Sequence, residues 1–303
     1  MDFLQPQPLL NQNFFDIIYI ELQLTTYHLP LTTYHSHINY FPMAFFSDLK
    51  TIYHMLRSGA KGKTHAERLD NFYSGQAKGY DDFRKRLLKG REELWAALAN
   101  PELGGGVPEG GVWVDFGGGT GANLERFAEE DRKKLKKIYV VDLAHSLLEV
   151  CNQRIADKFT DENGNTNCCT AEADATIWTP DEGYADIVTF SYSLTMIPDW
   201  FAAMDNALRI LKPGGIIGVV DFYVSRKWPA EGLKRHSWFT RSYWPVHFNT
   251  DNVYPSPDHI PYLMSHFETV DFHEYYGKIP YIPIIRMPYY TFVGRKKETE
   301  SAS

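Results

Sequence analysis

One stretch of the chain has residue types and spacing suited to chemistry on a bound ligand: Asp115-Phe116-Gly117-Gly118-Gly119-Thr120-Gly121. Glycines let a backbone turn tightly and let a ligand come against it without Cβ interference. Gly117, Gly119 and Ala122 also fit the loose G-x-G-x-x-A dinucleotide fingerprint, which on its own is equally the pattern of a tight turn. A second acid, Asp142, lies 21 residues beyond Gly121. In a strand–helix–strand unit it falls at the C-terminal edge of the sheet, where a carboxylate accepts both hydroxyls of a ribose. That suits NAD and S-adenosylmethionine alike. Asp115 separates them. A carboxylate beside a pyrophosphate repels it, whereas the ammonium and sulfonium of S-adenosylmethionine are complementary to an acid. The plainer reading of Asp115 is a capping or turn acid. A third acid stands in Ala171-Glu172-Ala173-Asp174-Ala175, where Asp174 is placed to accept a hydrogen bond from an adenine amino group.

These residues need a scaffold that brings strand ends together. Residues 112–115 read as a short buried strand, 122–136 as a helix and 138–142 as a second strand. A helix near 145–159, a strand near 168–172, a strong strand over 185–193, a helix over 199–211 and a strand over 216–223 follow. Pro213-Gly214-Gly215 stops the last helix. Such alternation predicts a mostly parallel, doubly wound α/β sheet with helices on both faces. Residues 267–276 and 288–294 supply two closing strands, and 225–266 forms an aromatic-rich insertion too long for an ordinary connection. Upstream, Thr64-His65-Ala66-Glu67 reads as a capping box. Apolar residues from Leu69 to Leu98 recur at three- and four-residue steps, as on one long helix or two with a break near Gly75 or Gly79.

On these residues the chain resembles a class I S-adenosylmethionine-dependent methyltransferase. The motifs are VDFGGGTG (114–121), VVDL (140–143), AEADA (171–175), DIVTFSYSLTMIPD (186–199) and LKPGG (211–215). More narrowly, Asn71-Phe72-Tyr73-Ser74-Gly75-Gln76-Ala77, Tyr80-Asp81, Arg84, Leu87-Leu88, Gly90-Arg91-Glu92 and Pro288-Tyr289-Tyr290-Thr291-Phe292 resemble the methyltransferase part of fungal betaine-lipid synthases. The resemblance implies a Rossmann-like sheet with S-adenosyl-L-methionine as cofactor. The donor would be held by Tyr80, Arg91, Asp115, Gly117, Gly119, Gly121, Asp142, Leu143, Asp174, Ala175 and Ser191. It implies N-methylation of diacylglyceryl homoserine to the trimethylated betaine lipid. The alternatives are a soluble small molecule or quinone as acceptor, or a non-catalytic S-adenosylmethionine-binding module. In that family a second half often builds the homoserine headgroup. The sequence ends at Ser303 without one, so a partner supplies the precursor, or the chain is a fragment, or its substrate differs.

The implied division is an extension over 1–47, a helical lid over 48–103, a donor-binding domain over 104–297 and a tail over 298–303. On the same resemblance Tyr73 and Tyr80 would close over the methionine end of the donor and Arg91 would pair with its carboxylate, whereas periodicity alone allows plain core packing for all three. Sulfonium already activates the methyl group, so the protein has to hold the acceptor in line and exclude water. Tyr192, between Ser191 and Ser193 at the end of the fourth strand, is placed to orient an amine. Tyr73 and Tyr223 join it as catalytic candidates. Aromatic residues over 222–254 offer either a cage for a quaternary ammonium or simply the hydrophobic core of the insertion.

Composition narrows the field further. A net charge of −7 argues against a dedicated nucleic-acid binder. Three cysteines, Cys151, Cys168 and Cys169, make no disulfide framework, which fits a reducing intracellular compartment. No metal-ligand spacing stands out, and His236, His247 and His266 read as packing or surface residues. Residues 1–49 lack Lys and Arg, unlike a signal or transit peptide, and 24–28 repeats as 31–35. Residues 50–91 carry eleven Lys/Arg against four acids. That run is either a solvated helix face or a contact with an anionic membrane, peripheral on the endoplasmic reticulum in the lipid reading.

Overall fold

Five short apolar runs become the five parallel strands at the heart of the molecule. A computed structural model describes residues 64, 66–67, 69–70, 87–103, 106–249, 252–279 and 282–297. The chain divides into two units, Met1–Phe46 and Ser47–Ser303, and all described residues belong to the second.

The strands are β1 (Val112–Phe116), β2 (Lys137–Asp142), β3 (Cys168–Glu172), β4 (Ala185–Ser191), β5 (Leu211–Phe222), β6 (Phe267–Ile279) and β7 (Ile282–Lys296). They form one sheet in the order β3-β2-β1-β4-β5-β7-β6. β1 to β5 pair in parallel, and β7 runs antiparallel to both β5 and β6. All five β1 residues are buried, as expected of a parallel strand covered on both faces. Chain order reverses at β1, with β2 on one side and β4 on the other, and such a switch point opens a crevice beyond the strands' C-terminal ends.

The helices are α1 (Arg91–Ala99), α2 (Glu129–Lys134), α3 (His145–Lys158), α4 (Trp200–Ile210), α5 (Trp238–Asn249) and α6 (His259–His266). One core layer joins Leu94 and Leu98 of α1 to Trp95, Trp113 and Phe127, whose rings meet edge to face at 5.0–6.4 Å. The other joins Phe116 and Phe190, stacked at 5.4 Å, to Met204 and Ala207 of α4 and Leu263 of α6.

Several elements differ from their sequence expectation. The helix expected over 122–136 is two pieces, a 3-10 turn (Ala122–Glu125) and α2. Phe127 turns inward onto Trp113, which forces Ala128 into an extended conformation (ψ 151°) and breaks the helix. β5 starts at Leu211, straight out of α4, and carries Pro213-Gly214-Gly215 inside the sheet. The β4–β5 ladder absorbs this with a register shift between Ala185 and Ile187. The closing strands run longer than expected because β7 pairs along its length with β6.

The insertion contributes α5 and α6 to the main core: Phe222 of β5 stacks on Phe248 of α5 at 5.2 Å. The capping box forms, with Glu67 N–H donating to Thr64 Oγ1 at 3.1 Å. The breaks considered at Gly75 and Gly79 lie outside the described residues. A described break stands at Gly90, where φ is +80° and a Cβ would lie 2.6 Å from the Tyr289 ring. Among the described residues no helix is long and apolar enough to cross a membrane.

Candidate functional site

At the switch point, loops from β1, β2, β3 and β4 enclose a cleft of about 200 Å³. Gly117 and Gly119 form its floor. Gly117 has φ +65°, and a Cβ there would lie 2.3 Å from Ser193 Cβ, so only glycine lets the two loops approach this closely. From the β2 end come Asp142, Leu143 and Leu147, and from the β3 end Asp174, Ala175 and Thr176. The β4 end supplies Tyr192, Ser193 and the run Met196–Asp199, and Leu69 reaches the cleft from the N-terminal side.

Asp142 ties the loops together. Its Oδ2 accepts from Gly119 N–H and its Oδ1 from Ala144 N–H, both at 2.9 Å. Each carboxylate oxygen accepts more than one hydrogen bond, so holding the loop is compatible with receiving ribose hydroxyls. Asp174 shapes its own turn, with Thr176 N–H donating to Oδ1 at 2.8 Å. Carboxylates over the glycine floor and between β2 and β3, with apolar Leu143, Leu147 and Ala175 beside them, fit a nucleoside whose far end carries positive charge. Among the described residues no group of His, Cys, Asp or Glu is arranged to hold a metal.

Asp115, expected to face the donor, has its carboxylate inside the protein. It is fully buried, receiving Thr189 Oγ1–H at 2.6 Å and Asn123 Nδ2–H at 2.9 Å. Burial pushes its carboxyl up to about 6, while the Thr189 and Asn123 bonds and the nearby Arg91 charge pull the other way. A Cβ at Gly118 would lie 2.7 Å from Asp115 Oδ2, so this carboxylate sits directly beneath the glycine loop. Trp113 Nε1–H donates to Thr189 Oγ1 at 2.8 Å and extends the network across β1 and β4.

Arg91 is buried, its Nε donating to Ser191 Oγ at 3.0 Å and its guanidinium 5.5 Å from the Tyr192 ring centroid. Ser191 is thus Arg91's partner and is not a cleft wall. Gly121 also lies off the cleft, packed against Cys151. Tyr192 lines the cleft in the left-handed region, φ 57°, and is the aromatic residue there among those described. Its hydroxyl donates to the Lys89 carbonyl at 2.5 Å, and burial raises its pKa well above the usual phenol value. Tyr223 is placed elsewhere: it lines a second cavity and donates to Glu274 Oε1 at 2.7 Å. Tyr73 and Tyr80 lie outside the described residues, as does most of the basic run 50–91.

Sequence reasoning missed a second buried carboxylate. Asp221 of β5 is fully buried and accepts from Thr195 Oγ1–H (2.7 Å), Thr195 N–H (3.2 Å) and Phe222 N–H (2.7 Å). It anchors the loop that carries Met196–Asp199 along the cleft. An acid inside the apolar run Val219-Val220-Asp221-Phe222 was the available signal. Of the aromatic cage residues considered, Phe222, Trp244 and Phe248 are buried against one another, whereas Trp228, Trp238 and Phe239 face solvent.

Residues 81–268 match the methyltransferase domain family. The chain belongs to that family. At this level it is an S-adenosylmethionine-dependent methyltransferase, in keeping with the glycine floor and paired carboxylates of the cleft. Among relatives, the ubiquinone/menaquinone biosynthesis C-methyltransferase UbiE of Shewanella piezotolerans is 32% identical over 151 residues, 50% of this chain and 57% of its own length. UbiE of Serratia proteamaculans is 29% identical over 166 residues, covering 55% and 63%. The chain thus spans little more than half the length of these curated relatives.

Solved structures share the fold at low identity. Phosphoethanolamine N-methyltransferase 2 of Haemonchus contortus, in complex with S-adenosyl-L-methionine, superposes with a TM-score of 0.58 at 15% identity, covering 78% of this chain and 61% of that one. The [4+2]-cyclase SpnF gives 0.55 at 16% identity, covering 80% and 100%. The cyclase shows why a shared fold alone does not fix the reaction.

Proposed function

We propose that this methyltransferase transfers methyl groups to the amine of a lipid headgroup, the diacylglyceryl homoserine of betaine-lipid synthesis being the acceptor that the motifs over 71–92 and 288–292 favour. One observation carries the amine reading: Tyr192 and Asp199 both line the cleft, an aromatic ring and a carboxylate beside the same space. An aromatic face attracts an alkylammonium, and a carboxylate attracts the protonated amine. Bound donor supplies an electrophilic methyl on sulfonium. The chain's residues do the rest. Gly117, Gly119, Asp142 and Asp174 hold the donor. Met196, Ile197 and Pro198 exclude water, and Asp199, at the open side, takes the proton that the amine sheds before attack. Tyr192 orients and does not act as base, because its hydroxyl already donates to Lys89 and its pKa is raised.

A second reading, C-methylation of a quinone ring, is favoured by the 29–32% identity to the UbiE enzymes. Incubating the protein with labelled S-adenosylmethionine and either a total lipid extract or a demethylated quinone separates the two. Label in a betaine headgroup lipid supports the first reading. Label on the quinone ring alone overturns it.

A further inference from the structure

The segment after β5 shows aromatic side chains to solvent. Trp228 is 68% exposed, Trp238 75%, Phe239 58% and Val246 74%. The inner side of the same loop is already apolar: Pro229, Ala230 and Leu233 line a cavity of about 310 Å³ with Ile260, Pro261 and Met264. Exposed tryptophans on the segment that also lines such a cavity offer apolar surface of the kind that marks an interaction site.

Charge says what the patch faces. Residues 226–241 contain five cations (Arg226, Lys227, Lys234, Arg235, Arg241) and one acid (Glu231), inside a chain of net charge −7. The cations stand over the aromatic rings: Arg235 Cζ lies 4.1 Å and Lys227 Nζ 5.7 Å from the Trp228 ring centroid, and Lys234 Nζ lies 5.9 Å from that of Tyr276. An exposed indole with basic side chains beside it matches a bilayer's boundary, where the ring sits among headgroups and the cation meets anionic lipid.

We infer that residues 226–246 form a docking surface for an anionic bilayer, seated by Trp228, Trp238 and Phe239 and drawn in by Lys227 and Arg235. α5 presents Phe239 and Val246 seven residues apart, on one helix face. The surface is built from none of the residues of the basic run 50–91.

Vesicle binding needs neither donor nor acceptor, so its failure leaves the methyl-transfer reading standing. The test is co-sedimentation of the full chain with vesicles of phosphatidylcholine alone or with a third phosphatidylglycerol. S-adenosylmethionine binding of each variant reports that it is folded. The wild type binds the anionic vesicles, and binding falls as salt rises. Lys227→Glu/Arg235→Glu lowers partitioning about tenfold or more. Trp228→Ala/Trp238→Ala weakens it and leaves the salt dependence in place. Three results overturn the inference: no binding to anionic vesicles, equal binding by wild type and both variants, or variants that alter only the protein's own oligomeric state.

Discussion

Two buried carboxylates stand beneath loops of the cleft, Asp115 near the end of β1 under the glycine loop and Asp221 near the end of β5 at Thr195. Each is fully buried, each receives a threonine hydroxyl, and burial raises each to about 6. They differ in what they hold. Asp115 binds only side chains, from Thr189 and Asn123, and lies beneath the glycine loop of the donor side. Asp221 binds backbone as well, through Thr195 N–H and Phe222 N–H, and fixes the loop whose residues Met196–Asp199 line the cleft, the acceptor side of the proposed reaction. One device, a carboxylate drawing a loop onto a strand end, thus serves both halves. The contrast belongs to these two carboxylates and not to the loops as wholes, because the glycine loop is also held by backbone, Gly119 N–H donating to Asp142 and Gly117 N–H to the Val141 carbonyl.

The sharpest break in this symmetry is at Gly117. Gly117→Val places side-chain atoms where Ser193 already sits and forces a branched residue to φ +65°. Donor binding measured by calorimetry should fall by about a hundredfold or more, from about 3 kcal/mol of combined strain and lost approach.

Next come the threonines. Thr189→Val leaves Trp113 Nε1–H and one Asp115 oxygen without their partner, so denaturant unfolding should show a loss of about 2–4 kcal/mol. Thr195→Val removes one hydroxyl bond while Thr195 N–H still donates to Asp221, so about 1–2 kcal/mol is expected. Equal losses would break the contrast. Thr195→Val should also spare donor affinity and lower methyl transfer, whereas Thr189→Val should weaken donor affinity.

The smallest effect is in pH dependence. Both carboxyls are raised from the model-compound value of 3.8 to about 6, so between these pH values the folded state holds protons that the unfolded chain has released. Stability therefore falls as pH rises from about 4 to 6. Asp115→Asn and Asp221→Asn should each flatten the unfolding midpoint over that window, relative to wild type. A variant whose slope matches the wild type would show that its carboxyl does not titrate there.

The donor side was legible in the sequence because its chemistry is concentrated. A glycine loop and acids at two successive strand ends are short-range patterns, and Gly117, Gly119, Asp142, Leu143, Asp174 and Ala175 all line one cleft. The role of Asp115 was not legible, because its partner Thr189 lies 74 residues away on a neighbouring strand. Asp221 and Thr195 escaped for the same reason, being paired across 26 residues by the fold. The helix expected over 122–136 failed at Phe127, whose place among Trp95 and Trp113 is a tertiary fact that periodicity does not carry. Tyr223 looked equivalent to Tyr192 by type, yet a different strand end sends it to the second cavity.

The account stands on the cleft at the β1–β2–β3 edge being the seat of S-adenosylmethionine. Calorimetric titration of wild type and Asp142→Ala with S-adenosylmethionine and with NADH tests this directly. S-adenosylmethionine should bind the wild type alone among these pairings with full affinity, weakening about tenfold or more in Asp142→Ala as ribose and loop contacts are lost. Uptake of NADH with no response to S-adenosylmethionine would contradict it, as would a donor affinity indifferent to Asp142.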